Sequence, residues 1–470
     1  MNEVPSLWIA LGQSADADAV GALQALVRDG HDRELCRINA LDLAKKSGVD
    51  EDAIIAALLH AARLGLFEMS WNVLCPACGG VLDAGTSLKH VHQAEYGCAL
   101  CAAGYEPTLD QMVEVTFTVN SRVRTIAAHD PNRLSPIEYC RQLFWSSGVD
   151  FPEPFAELMD EITLEMVELR PGDKALVSIA LPAEFVIVFD PATHSAQFID
   201  VKGEPTRERQ SLTMVFNKSY TPTTTVTMRP GPLRLSLENR TDVRVVPGVY
   251  LANAKMHDLL GRRKPFLTAK RLLTNQTFRD IYRTDTLSID QRLKITSLTF
   301  LFTDLKGSTE LYERVGDLAA FDLVREHFHT LNDIVAAEGG AVVKTIGDAV
   351  MATFPTPDRG LSAAFRMRDA MHELNEHHGH GREDLVLKIG IHEGPCLAVM
   401  LNERQDYFGS TVNIASRVQG LAATPSILAT DSVVDHPLSA GVFANGRQKP
   451  MAKQHALRGL AAERTVYEIP

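Results

Sequence analysis

The chain has 470 residues, 45% hydrophobic and 23% charged, with 31 Gly, 23 Pro and 7 Cys, which is too apolar for disorder and too mixed for collagen or a coiled coil. Its formal charge of −12 gives no global field for nucleic acid or anionic lipid, so any basic surface has to be local. The length suggests about three domains. The N-terminus MNEVPSLWIALGQ has no basic region ahead of an apolar stretch, and the most apolar run, 53–67, is short and broken by His60 and Arg63. No membrane span and a cytoplasmic protein are expected.

Residues 1–70 carry apolar residues at helical spacing over 18–27, 42–47 and 50–66, with a break at Gly48 and a strand over 67–73. The order helix, turn, longer helix, strand resembles a winged helix-turn-helix. Six basic against eleven acidic residues leave this segment at −5, with acids at the start of its second helix. Counterion release needs clustered cations, so nucleic acid is disfavoured and a sensory or protein-packing role is expected.

Residues 71–111 hold Cys75 and Cys78, then nineteen residues, then Cys98 and Cys101. Two CxxC knuckles at this separation suit a tetrahedral structural Zn²⁺ with four thiolate ligands and resemble a zinc ribbon. His90 and His92, between the pairs, are alternative ligands or solvated loop residues. A segment this small buries too little to fold alone, which makes the zinc structural rather than catalytic.

From 112 to 255 the period changes to two. Strands are expected at 113–119, 174–181, 184–189, 223–228, 231–237 and 241–246, with a helical insertion near 136–169, and together they predict an antiparallel β-sandwich. The sandwich shows no catalytic constellation, so this region is expected to sense a ligand or protein partner that the sequence does not identify. Residues 256–295 read as a helical linker, with helical spacing over 268–282 and Arg262, Arg263 and Lys264 on a solvated flank. A two-state element between sensor and catalyst would have to lie there.

The chemistry is concentrated after Lys294. The stretch 297–303 alternates as a strand, ends at Asp304 and turns through Leu305, Gly307, Ser308 and Thr309 into a helix. A carboxylate beside a Gly-containing turn suits a cation, and the helix amides suit phosphate oxygens. A hairpin over 339–354 turns at Gly347 and Asp348, and two acids at adjacent turns could hold two divalent cations between them. In DYFGSTVNIASRV, Asn413 and Arg417 are four apart on one helix face; Arg offers a charged fork for phosphate and Asn can bond a sugar oxygen.

At this point the chain resembles the class III nucleotidyl cyclases over 296–470, with FTDLKGST, VKTIGDAVMATF and DYFGSTVNIASRV in the family's order and spacing. The resemblance implies a multidomain α+β chain ending in a ferredoxin-like, palm-type α/β sandwich, a mostly antiparallel sheet with helices on one face. It implies two Mg²⁺ or Mn²⁺ per active site on Asp304, Asp348 and the Leu305 carbonyl, with the amides of Gly307, Ser308 and Thr309 near the phosphates. Asn413 would orient the ribose, Arg417 would stabilise charge at the α-phosphate, and Arg458 would stand where the family has a lysine for the terminal phosphates. Lys344 and Asp406 occupy the family's base-reading positions. Adenine offers N1 as acceptor and N6 as donor, which a Lys and an Asp match, so ATP is expected over GTP. The family builds each site from two chains, which implies a homodimer with two equivalent sites. The expected activity is adenylate cyclase; the alternative is a catalytically weak or inactive cyclase-like nucleotide-binding regulator.

Overall fold

The computed structural model describes residues 4–217, 223–282, 287–377, 385–402, 404–422, 426–445, 449–458 and 463–470. It begins with four helices, α1 (Val4–Gly12), α2 (Ala17–Asp29), α3 (Ala40–Ser47) and α4 (Glu51–Arg63). Short polar side chains start three of them: Asp16 accepts from the N–H groups of Asp18 and Ala19, Asn39 from Leu41 and Asp42, and Asp50 from Asp52 and Ala53. These caps satisfy donors that no earlier turn can reach. Gly48, at φ +72°, ends α3 in the left-handed region where a side chain would be strained.

The chain divides into two units, Met1–Pro107 with Gln111–Leu267, and Thr108–Asp110 with Thr268–Pro470. In the first unit, the helices lead into β1 (Phe67–Leu74), β2 (Val81–Gly85), the small hairpin of β3 (Tyr96–Cys98) and β4 (Ala103–Tyr105), and β5 (Val113–Val119). β1 pairs antiparallel with both β2 and β5. The sequence places β5 with the later strands, and its pairing with β1 corrects that. The polar face of β5 is buried as well as the apolar one, and Glu114 and Thr116 are fully enclosed. Glu114 accepts from the Ser147 N–H at 2.9 Å, the Ser147 hydroxyl at 2.6 Å and the Asn72 amide at 3.1 Å. Burial pushes its carboxyl above the ordinary range while these donors oppose the shift.

The expected helical insertion is α5 (Pro136–Tyr139) and α6 (Phe155–Ile162). After it come β6 (Thr163–Met166), β7 (Lys174–Leu181), β8 (Phe185–Asp190), β9 (Ser195–Val201), β10 (Gln210–Phe216), β11 (Thr224–Met228), β12 (Gly231–Asn239) and β13 (Gly248–Leu251), then α7 (Ala254–Gly261). They form one sheet in the order β11-β9-β8-β13-β6 and another in the order β10-β12-β7. The two share a core that includes Ile179, Val188, Ile199, Phe216, Leu235 and Val249. Neither sheet is antiparallel throughout, which corrects the sequence reading: β9 with β11, and β10 with β12, are parallel. From β9 to β12 the chain alternates between the sheets, so neighbours within a sheet are two strands apart and run the same way. Residues 241–246 are a bend rather than a strand. The Asn239 side chain captures that backbone, donating to the Val243 carbonyl at 2.8 Å and accepting from the Thr241 N–H at 2.9 Å.

The second unit contains α8 (Ala269–Leu273), α9 (Gln276–Ile281), β14 (Leu293–Leu305), α10 (Ser308–Val315), α11 (Asp317–Ala337), β15 (Ala341–Ile346), β16 (Ala349–Phe354) and α12 (Pro357–His377). It continues with β17 (Leu387–Leu401), β18 (Arg404–Phe408), α13 (Ser410–Gly420), β19 (Ile427–Thr430), α14 (Asp431–Val434), α15 (Ser439–Asn445), β20 (Met451–His455) and β21 (Arg464–Ile469). The strands form one sheet, β15-β16-β14-β17-β19-β21-β20, with β18 paired to β17; β17 with β19 is its parallel pair. Leu301, Leu305, Ile389 and Ile391 pack beneath Leu331 and Val335 of α11 and Leu361 and Met367 of α12. Ile414 and Val418 of α13 pack instead with Leu428 and Val466. Leu428 alternates along β19 with Ile427 and Ala429, which belong to the α11 and α12 side, so α13 lies on the other face. Helices on one face alone, as the resemblance implies, is therefore corrected to helices on both. Among the described residues no helix is long and apolar enough to cross a membrane.

Candidate active site and metal centre

Two carboxylates reach the same end of adjacent strands. β14 and β16 are antiparallel neighbours with Phe302 opposite Met351, and the Val350 N–H donates to Thr303 Oγ1 at 3.1 Å. Continuing that register brings Asp304, at the end of β14, beside the turn of Gly347 (φ +64°) and Asp348 that joins β15 to β16. Asp304 is 37% exposed, with Lys388 Nζ at 3.9 Å. Asp348 Oδ2 is buried and has no hydrogen-bond partner among the described residues. A buried carboxylate oxygen without a donor costs about 1–3 kcal/mol or more, a cost a hard cation relieves. This pair of acids therefore fits Mg²⁺ or Mn²⁺. Gly307, at φ +70°, makes the turn into α10; the side chains of Ser308 and Thr309 lie outside the described residues. Leu305 is buried, its side chain in the core.

Lys344 on β15 and Asp406 on β18 meet directly, Nζ to Oδ2 at 2.5 Å, with Asp406 10% and Lys344 41% exposed. The other Asp406 oxygen accepts from the Tyr407 N–H at 2.8 Å. Both carboxylate oxygens of Asp406 are thus engaged, and the backbone donor fixes the orientation of the group.

α13 carries the third element. Ile414, Ala415 and Val418 face the sheet, leaving Asn413 exposed and Arg417 half-buried on the outer side. Arg417 makes no ion pair among the described residues. The close seating of α13 depends on residues that the sequence reading overlooked. A Cβ on Gly390 of β17 would lie 2.1 Å from the Gln419 backbone nitrogen, and one on Gly394 would lie 2.9 Å from Thr411 Oγ1. The signal was the pair of glycines in GIHEGP. Gly390→Ala is expected to lift α13, destabilising the chain by about 1–3 kcal/mol and lowering turnover at least tenfold, because Asn413 and Arg417 move with the helix. Thermal unfolding and initial rates measured together check this. Arg458 is exposed just beyond the buried Leu457.

The four cysteines of the two knuckles are brought together in the first unit. Their sulfurs all lie within 4.8 Å of one another, with Cys75 to Cys101 and Cys78 to Cys98 both 3.7 Å. A tetrahedron of thiolates at about 2.3 Å from Zn²⁺ has an edge of about 3.8 Å, so the set fits that ion. His90 and His92 are not members of the cluster. The same unit has a pocket open to solvent, of about 370 Å³, whose lining includes Arg37, Asn39, Arg141, Gln142, Trp145 and Lys264.

Residues 1–280 match a family of unknown function, DUF5939, and residues 291–457 match the adenylate and guanylate cyclase catalytic domain. An uncharacterized protein of Mycobacterium tuberculosis is 35% identical over 134 residues, 28% of this chain and 32% of that protein. The adenylate cyclase of Anabaena cylindrica is 32% identical over 150 residues, 29% of this chain and 30% of that protein. The adenylate cyclase of Streptomyces coelicolor is 34% identical over 140 residues, 30% of this chain and 32% of that protein. The chain thus spans about a third of the length of these curated relatives. The crystal structure of the adenylyl cyclase CyaB from P. aeruginosa aligns at 26% identity and a TM-score of 0.34, over 38% of this chain and 96% of that one.

Proposed function

Because the chain belongs to the DUF5939 family through residues 1–280 and carries a class III adenylate/guanylate cyclase catalytic domain C-terminal to it, we propose that it is an adenylate cyclase. It converts ATP to 3′,5′-cyclic AMP and pyrophosphate at a homodimer interface, under control of residues 1–255. The observation that carries the choice of ATP is the Lys344 to Asp406 pair at 2.5 Å. It offers a donor and an acceptor side by side, the polarity of the adenine edge.

In the reaction the ribose 3′-oxygen bonds to the α-phosphorus, its proton departs, and the bond from the α-phosphorus to the bridging oxygen breaks to release pyrophosphate. Asp304, Asp348 and the Leu305 carbonyl would hold two Mg²⁺ or Mn²⁺, whose charge favours the 3′-alkoxide and neutralises the leaving group. Lys344 and Asp406 hold the base, and Asn413 orients the ribose. Arg417 meets the charge that grows on the α-phosphoryl oxygens, and its lack of an ion pair among the described residues supports that role. The backbone of Gly307, Ser308 and Thr309 approaches the phosphates, and Arg458 extends toward the terminal ones. Lys344 and Asp348, four apart in sequence, serve different sites of the dimer. The four cysteines would hold a structural Zn²⁺, and the pocket of the first unit is a site for a regulatory ligand.

Purified protein with Mn²⁺ and ATP is expected to release cyclic AMP and pyrophosphate in equal amounts. Nucleotide binding without product would establish the inactive-regulator reading instead.

A further inference from the structure

The base-reading pair has an unusual mechanical weakness. Lys344 lies on β15 and Asp406 on β18, strands that the sheet joins only through the successive pairings of β16, β14 and β17. Among the described residues no ladder pairs the two strands with each other directly. When a base turns the two side chains toward its own edge, their direct contact of 2.5 Å no longer ties the strands together.

α8 and α9 supply the missing tie within the same unit. Arg279 Nη2 donates to the carbonyl of Gln405 at 3.0 Å and to that of Val343 at 3.4 Å. These are the peptides immediately before Asp406 and Lys344. Gln276 Oε1 accepts from the Val342 N–H at 2.8 Å, and the Tyr407 hydroxyl donates to the Leu273 carbonyl at 3.3 Å. Each base-reading residue is thus flanked by backbone or side-chain groups bound to the helical connector. The anchor is firm: Leu272, Leu273 and Phe278 are almost wholly buried, and Asn275 caps α9 by accepting from the Phe278 N–H at 3.0 Å. Arg279 Nη1 is buried with no hydrogen-bond partner among the described residues, and the two carbonyls are the partners that Nη2 holds. Beside it a cavity of about 190 Å³, bounded by Gln276, Tyr282, Val342 and Arg404, gives the side chain room to disengage.

We propose that Arg279 is a positioning residue for nucleotide selection, a clamp that fixes the spacing of Lys344 and Asp406 through the carbonyls of Val343 and Gln405. The proposal rests on the assignment of that pair to the base. Arg279 falls at the end of the stretch matching DUF5939, so a change in that region that moves α9 alters how faithfully the base is read, beyond how fast the site turns over.

The test is the ratio of kcat/KM for ATP to that for GTP in the full chain, for Arg279→Ala, Arg279→Lys and Lys344→Glu. Arg279→Ala is expected to raise the KM for ATP and to narrow the ratio about tenfold or more. Arg279→Lys, which keeps the charge without the planar fork, is expected to fall between it and the unaltered chain. An unchanged ratio in Arg279→Ala while Lys344→Glu shifts it would overturn the clamp and leave the base assignment standing. If neither shifts the ratio, the base assignment fails and the clamp with it. Should Arg279→Ala not fold, Arg279→Lys decides: a ratio equal to that of the unaltered chain overturns the proposal.

Discussion

Asp304→Ala and Arg417→Ala are each expected to be inactive alone, and an equimolar mixture of the two is expected to recover about a quarter of the unaltered rate. The losses follow from chemistry rather than folding. Asp304 is 37% exposed and its nearest cation among the described residues, Lys388, stands at 3.9 Å, a surface pair worth about 1 kcal/mol at most. Arg417 forms no ion pair among the described residues, so its removal leaves no charge stranded. Both variants should melt close to the unaltered chain while losing about 10²-fold or more in turnover. Recovery depends on how the two half-sites combine. In a twofold dimer whose sites take acids from one protomer and Arg417 from the other, a mixed dimer has one site with both changes and one with neither. Random assortment makes half of the dimers mixed, each with one of its two sites intact. Recovery of activity together with light scattering that shows a dimer would support the shared site. A mixture as inactive as its components, with exchange of subunits confirmed, would sink it.

The parts of the molecule that were legible in its sequence are those whose chemistry fixes local spacing. The CxxC pairs predict four sulfurs in one cluster, and the cluster is there. The strand-end acid at Asp304, the Gly347-Asp348 turn and the i, i+4 pair Asn413 and Arg417 all stand on the expected elements. What escaped was set by contacts between distant residues. Nothing in the sequence marks the polar face of β5 as buried, because its partners, Asn72 and Ser147, are remote in sequence. Residues 241–246 alternate like a strand, yet the Asn239 side chain claims their backbone. β9 and β10 were missed, and with them the parallel pairings, because SAQFIDV and QSLTMVF mix polar residues into both faces. Arg279 carried no motif at all: its partners are two backbone carbonyls, which no residue type announces.

Reversing the polarity of the base-reading pair is expected to reverse its preference. Guanine presents O6 as acceptor and its N1 and N2 groups as donors, so it needs a carboxylate where adenine needs an ammonium. Lys344→Glu alone sets two carboxylates where the structure has an ion pair with Asp406 10% exposed; each repels the other and neither can donate to adenine N1. kcat/KM for ATP should fall about 10³-fold, within the range by which a buried hydrogen-bonding site rejects a mismatched partner. Lys344→Glu with Asp406→Asn removes the repulsion and supplies an amide donor for O6, so GTP should overtake ATP, although the overall rate stays below that of the unaltered chain. Lys344 is 41% exposed, which makes the single change tolerable to the fold, and circular dichroism of both variants should match the parent. Cyclic AMP and cyclic GMP measured at equal substrate decide the matter. A double variant that still favours ATP by the original margin would show that Lys344 and Asp406 do not read the base, and the nucleotide would then have to be selected by other residues of the site.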